Sequence, residues 1–252
     1  VGKVVLTTAV TAYRDALGDR LVSAYALGSL AHGGFAPAVS DVDLGLVLRE
    51  PDSSIEGVRD ELKASGIPLA ERLSVFWSSL GSLRAGRPDG RFPAHDRLDL
   101  ADYGALLFGT EVRDSLPRPG RAELVEEGAA FALRLLGSPA GIADCLAPQG
   151  LSPIRLTKLV LMPVRLLYTA ATGELGLTDP AVEYYLGLPD APAHDLVRAA
   201  NALRHGGSPG TLPHGELLKL LRHYLNYQQK AIGSPALVAA LKQWERNLTS
   251  PA

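Results

Sequence analysis

Apolar residues recur at helical spacing from Val4 to Leu17, through Val5, Ala9, Tyr13 and Ala16, and Gly18 stands where a C-cap belongs. Two short apolar runs follow, Leu21 to Leu27 and Val42 to Leu48, with the length and composition of buried strands. Pro51 stops the second run, Ser53 and Ser54 can cap a helix from Ile55 to Ala64, and Gly66 ends it. Leu69 to Trp77 predicts a third strand. Gly81 to His95 is glycine- and proline-rich and reads as a long loop. A helix beginning at Asp99 comes next, then a short strand over Leu106, Leu107 and Phe108 that Gly109 closes. After the linker-like stretch Asp114 to Gly120 the pattern becomes helical: Glu123–Leu136, Pro153–Thr172, Pro180–Gly187, Ala193–Arg204, Gly215–Gln229 and Pro235–Asn247. Strands mixed with helices, then a run of helices without internal repeat, predict an α+β chain in two domains. A mixed β-sheet domain would span residues 1–116 and an α-helical bundle residues 117–252.

Composition narrows the class without naming a chemistry. The chain has 252 residues, 46% hydrophobic and 21% charged, which is ordinary for a globular protein. A net charge of −2 offers no electrostatic case for nucleic acid or a membrane surface as partner. No stretch is apolar enough to cross a membrane as a helix, and the start, VGKVVLTTAV, lacks the length and cleavage pattern of a signal peptide. One cysteine, Cys145, cannot form an intramolecular disulfide and fits a reducing compartment, so a cytoplasmic location is expected.

The stretch from Ala24 to Leu48 carries the chemistry. Gly28 and Ser29 end the first strand, a glycine-rich loop follows, and Ser40-Asp41-Val42-Asp43 opens the second. Residues two apart on a strand face the same way, about 7 Å apart, so Asp41 and Asp43 aim at one point. A hard divalent cation such as Mg²⁺ suits that pair, with water and phosphate oxygens completing its shell. At Gly28-Ser29 a bare backbone and a hydroxyl can approach a phosphate. Aspartates are depleted in strands and rarely buried alone, so two at the head of an apolar strand call for a reason.

Gly-Ser followed about ten residues later by Asp-x-Asp resembles the signature of the nucleotidyltransferase superfamily related to DNA polymerase β. The second half adds LVLMPVRLLYTAATGELGLTDPAVEYY, Leu159 to Tyr185, which looks like the helical domain of bacterial aminoglycoside adenylyltransferases of the streptomycin/spectinomycin type. A weaker echo is His223-Tyr224. The resemblance implies a nucleotidyltransferase-type sheet domain and a Mg²⁺-dependent transfer of a nucleoside monophosphate. One or two metal ions would sit on Asp41 and Asp43. Gly28, Ser29 and Ser40 would grip the triphosphate, with ATP the favoured nucleotide. The acceptor would be a hydroxyl, on a small molecule in the first instance. Arg165 and Tyr224 would contact the nucleotide. A lysine that the family carries near the next short helix is Thr178 here.

Several positions stay open at this level. The family's third carboxylate lies on the strand beside Asp-x-Asp and takes the proton from the attacking hydroxyl. Glu71 fills that slot in one register, Ser74 in another, and Asp99 is a substitute from outside the strand. Asp99 also reads as a plain N-cap, and Arg84, Arg87 and Arg91 as either a flap over phosphates or a solvated loop. Arg165 can be a cleft residue or a structural ion pair, and Tyr224 a contact or a core residue. Arg155 and Lys158 head the long helix where the drug-modifying enzymes place acidic residues; a basic entrance would repel a polycation, whereas a solvated face would not matter. The rival to an enzyme is a catalytically silent nucleotide-binding or antitoxin-like partner-binding module.

Overall fold

The computed structural model describes residues 1–207 and 214–249, and the chain divides into two compact units, Val1–Pro119 and Gly120–Ala252. In the first unit α1 (Gly2–Leu17) leads into β1 (Leu21–Leu27), a single turn α2 (Gly28–Ala31), then β2 (Val42–Leu48), α3 (Ile55–Ala64) and β3 (Leu73–Ser79). A short α4 (Leu80–Arg84), α5 (Ala94–Tyr103) and the edge strand β4 (Ala105–Gly109) complete it. The four strands lie in the order β3-β2-β1-β4, with β2 and β3 parallel and the other pairings antiparallel.

Strand alternation explains how this sheet is covered on both faces. Ala24 and Ala26 of β1, Leu44, Leu46 and Leu48 of β2 and Val75 of β3 pack with Val5, Ala9 and Tyr13 of α1 and Ile55 and Leu62 of α3. Tyr25, Leu27, Val47 and Phe76 turn to the other face, where Phe92, Leu83 and Leu100 cover them. Asp43 and Ser74 fall in this second alternation, so α5 overlies the face that carries them.

Three features correct the sequence-based expectation. The third strand begins at Leu73, not Leu69. Leu69 takes a left-handed conformation (φ 71°) and Ala70–Arg72 form a 3₁₀ turn, so polar Glu71-Arg72 stay out of the sheet. The helix expected to start at Asp99 begins five residues earlier at Ala94, which places Asp99 in its middle rather than at its cap. The loop expected over Gly81 to His95 is partly α4, whose N-cap Ser79 accepts from the Ser82 amide.

In the second unit α6 (Arg121–Leu136), α7 (Pro139–Leu146), α8 (Pro153–Thr172), α9 (Thr178–Leu186), α10 (His194–Arg204), α11 (His214–Ala231) and α12 (Pro235–Thr249) share one apolar core. The centre is α8, opened by the Ser152 cap and Pro153 and closed by Gly173 in a left-handed conformation. Its Leu159, Val160 and Val164 are fully buried, joined by Tyr185, Leu220, Tyr224 and Trp244 from neighbouring helices. The sequence gives little sign of α7: its eight residues, PAGIADCL, are too few to show a helical period.

Candidate active site

The carboxyl end of β1 and the start of β2 meet at one glycine. Gly28 has φ +60°, a conformation that L side chains rarely adopt, and a Cβ built on it would run into Asp43 Oδ2. Its backbone N–H donates to Asp99 Oδ2 at 2.5 Å. Leu27 pairs with Asp43 across β1 and β2, which sets the register that brings the aspartate to the glycine. Asp43 thus rises from the strand and Asp99 reaches over from α5, 71 residues away in sequence from the amide it binds.

Val42 is fully buried while Asp41 and Asp43 are half-buried on either side of it, as alternation at a strand head requires. Among the described residues no group of three His, Cys, Asp or Glu side chains is placed to hold a metal ion. Asp41 and Asp43, two residues apart at the head of β2, are the carboxylates that could hold Mg²⁺ there, with a substrate's phosphate oxygens and water in the other positions.

Ser29, the first residue after Gly28, is half-buried in the α2 turn. Ser40 is placed differently from expectation: it is 6% exposed, and its hydroxyl accepts from the Ala36 amide at 3.0 Å. It fastens the loop that delivers Asp41 rather than presenting a free hydroxyl. Arg72 does related work from the other side, donating to the carbonyls of Pro37 (2.7 Å) and Ser40 (3.4 Å). That explains an arginine that fits no strand.

The third carboxylate expected beside Asp43 is not on β3. Asp43 pairs with Ser74, and Glu71 lies in the turn ahead of the strand, with its side chain 61% exposed and 3.6 Å from the Arg72 guanidinium. Assigning Glu71 as the base required a strand reaching back to Leu69; the left-handed Leu69 breaks that register. Asp99, by contrast, is 6% exposed and stands at the Gly28 amide. The sequence marks it only as a cap or a substitute ligand, because the helix starts five residues earlier, after Pro93.

Of the second unit's candidates, Tyr224 is corrected. It is wholly enclosed, its ring packs 6.2 Å from that of Trp244, and burial pushes its phenol well above the ordinary tyrosine range. A residue so placed holds the bundle together and offers no surface to a nucleotide. Arg165 is exposed on α8 and its Nε donates to the Gly176 carbonyl at 2.5 Å. The Arg204 guanidinium is close enough to feel it: burial first, and then the Arg165 charge, lower the Arg204 pKa. Arg155, read as part of a basic entrance, forms an ion pair with Asp144 at 2.5 Å, so the argument from charge against a cationic acceptor loses its main member.

An open pocket of the first unit lies elsewhere. About 580 Å³ in volume, it is lined by Val22, Arg49, Arg84, Thr110 and Glu111 among others. Val22 lies near the start of β1 and Gly28 just past its end, so the length of that strand, about 20 Å, separates the pocket from the carboxylates. There Arg113 holds Glu111 by hydrogen bonds that draw its carboxyl down to about 2, and Glu111 in turn accepts from the Tyr25 phenol at 3.0 Å. This is a structural knot tying β1 to the segment after β4, and its chemistry is already satisfied.

No family model matches the sequence, and no curated protein matches it. Structural comparison gives a solved neighbour, spectinomycin adenyltransferase AAD(9) from Enterococcus faecialis, determined with ATP and spectinomycin. The two align with a TM-score of 0.64 over 95% of this chain and 99% of that one, at 16% sequence identity. The chain accordingly has the fold of a nucleotidyltransferase, an α+β architecture with a helical second half.

Proposed function

We propose that this chain is a Mg²⁺-dependent nucleotidyltransferase that moves a nucleoside monophosphate, AMP in the first instance, from its triphosphate to a hydroxyl on a small molecule. One observation carries the reading: Asp43, with Asp41 two residues before it, is packed against a positive-φ glycine at the end of β1. The fold neighbour solved with ATP supports the nucleotide, and its spectinomycin supports a small-molecule acceptor.

Asp41 and Asp43 would hold Mg²⁺, which when bound neutralises triphosphate charge and makes the α-phosphorus easier to attack. Gly28 leaves room for Asp43 where any side chain would displace it. Ser29 offers a hydroxyl to a phosphate oxygen, while Ser40 and Arg72 keep the loop before Asp41 in place. The acceptor hydroxyl gives up its proton to solvent as its oxygen forms the new bond to the α-phosphorus; the bond from phosphorus to the bridging oxygen breaks, and pyrophosphate departs with that electron pair. Positioning and charge neutralisation supply most of the acceleration in such transfers.

A second reading has its own support: with Ser74 beside Asp43 and Glu71 exposed on a turn, β3 contributes no base. A nucleotide-binding or antitoxin-like partner-binding module would need none. Thermal shift with the four nucleoside triphosphates, with and without Mg²⁺, followed by pyrophosphate release over a panel of neutral, anionic and cationic hydroxyl acceptors, separates the two. Release with at least one acceptor is the expected result; binding without release on any of them favours the module. Protein handled in the cytoplasm of an expression host without reductant should stay monomeric in its thiol, since burial pushes Cys145 up to about 12 and leaves no reactive thiolate.

A further inference from the structure

The strand that should furnish the third acidic group has a serine, while a helix on the same side of the sheet puts an aspartate within hydrogen-bonding distance of the key glycine. Asp99 is 6% exposed in the middle of α5, where neither a cap role nor solvent accounts for it. Its Oδ2 accepts from the Gly28 N–H at 2.5 Å, and a carboxylate accepting from a backbone amide makes a charge-assisted bond. The acceptor's neighbours, Leu98 and Leu100, are buried, and Leu100 belongs to the apolar layer with Tyr25, Leu27 and Phe92, so α5 is anchored and cannot easily withdraw the carboxylate. Gly28 itself sits at φ +60° with Asp43 Oδ2 against its α-carbon face. One peptide unit thus links the two carboxylates: Asp99 fixes its amide, and the resulting turn fixes how close Asp43 and Ser29 come to a bound phosphate.

We propose that Asp99 is the positioning residue of this site, holding the Gly28-Ser29 turn from α5 and thereby supplying from a helix the acidic support that β3 lacks. It acts through Gly28 and not as a metal ligand, in keeping with the absence of a three-membered metal cluster among the described residues. The inference rests on the nucleotidyltransferase reading above.

The test uses the full chain, a fluorescent ATP analogue with Mg²⁺, and amide exchange followed by mass spectrometry. Asp99→Ala should weaken binding of the analogue about tenfold or more, as expected for losing a hydrogen bond to a charged group. It should also speed exchange in segment 27–32 while β2 and β3 keep their protection. Asp99→Asn retains an oxygen that can accept the same N–H, so it should recover affinity to within about threefold of wild type. If Asp99→Ala binds as well as wild type, or if Asn fares no better than Ala, the positioning role is wrong. General loss of protection through α5 and β1 in both variants would also overturn it, because that would be a packing defect. Failure of wild type to bind any nucleoside triphosphate instead brings down the transferase reading, and this proposal with it.

Discussion

Two aspartates on one side of the first unit's sheet are held in opposite ways. Asp89 is fastened locally: the hydroxyls of Ser78 (2.8 Å), Ser79 (2.6 Å) and Ser82 (2.9 Å) and the Ser79 amide (2.8 Å) all donate to it, from within eleven residues of sequence. Asp99 reaches an amide 71 residues distant, beside a second carboxylate. The first arrangement satisfies an acid completely and ties the end of β3 to the loop before α5, which is what stability asks for. The second brings acids together at a backbone too tight for any side chain, which folding alone does not reward. A carboxylate surrounded by its own donors is a clasp; carboxylates converging from separate elements mark a site.

The sharpest way to break that contrast is to remove the converging charges. Asp41→Asn and Asp43→Asn should each reduce pyrophosphate release about 10³-fold or more, since metal-assisted charge stabilisation supplies several kcal/mol to such transfers. Each swap is nearly isosteric at a half-buried position, so the loss of turnover should far exceed any change in Tm. Activity within tenfold of wild type for either variant would sink the metal assignment. Gly28→Ala comes next. Its methyl would displace Asp43 Oδ2 and force a non-glycine residue into positive φ, at a cost of about 1–3 kcal/mol. Turnover should fall about 100-fold with a Tm loss of several degrees, and calorimetry alongside pyrophosphate release would expose an Ala variant that keeps both.

Asp89 should give the reverse profile. Burial alone would raise its pKa, but the hydrogen bonds from Ser79, Ser78 and Ser82 outweigh it and bring the carboxyl to about 2. A folded-state value below that of the unfolded chain means stabilisation that is present above about pH 4 and is lost as pH falls through about 2. Asp89→Asn should therefore lower stability near neutral pH by about 1 kcal/mol, a modest figure because the group is exposed and screened. The Tm gap to wild type should close between pH 4 and 2, and nucleotide affinity should hold. A loss of nucleotide binding as large as that of stability would make the clasp part of the site.

How much of this could be read from sequence follows from the range over which each signal acts. The strands Leu21–Leu27 and Val42–Leu48 and the helix Pro153–Thr172 were legible to the residue, because apolar periodicity and flanking Gly, Ser or Pro are local. Gly28 and Asp43 were singled out by the resemblance of Gly-Ser and Asp-x-Asp to the nucleotidyltransferase signature, but their packing against each other was not. Ser74 against Glu71 was not: a single left-handed Leu69, with no glycine to announce it, moved the start of β3 by four residues. Asp99 was missed as a partner of Gly28 for a related reason, since Pro93 rather than an aspartate precedes the true helix start and only the folded sheet brings the two together.

Tyr224 sharpens the contrast from the opposite direction, as a polar group with neither a clasp nor a site. Its hydroxyl is fully buried and, among the described residues, has no hydrogen-bond partner, and the ring packs on Trp244 in the helical core. A buried hydroxyl without a partner contributes desolvation cost and no bond, so deleting it should be neutral or favourable. Tyr224→Phe keeps the ring and its packing, and is expected to change stability by about 0 to 1 kcal/mol in the stabilising direction while leaving ATP affinity unchanged. Tyr224→Ala would instead open a cavity and cost about 3–5 kcal/mol, which makes it a poor probe of function. The Phe variant separates the alternatives because it removes only the polar atom: a tenfold loss of nucleotide affinity with an unchanged melting curve would return Tyr224 to the site, whereas an unchanged affinity assigns its conspicuous sequence position wholly to the core of the second unit.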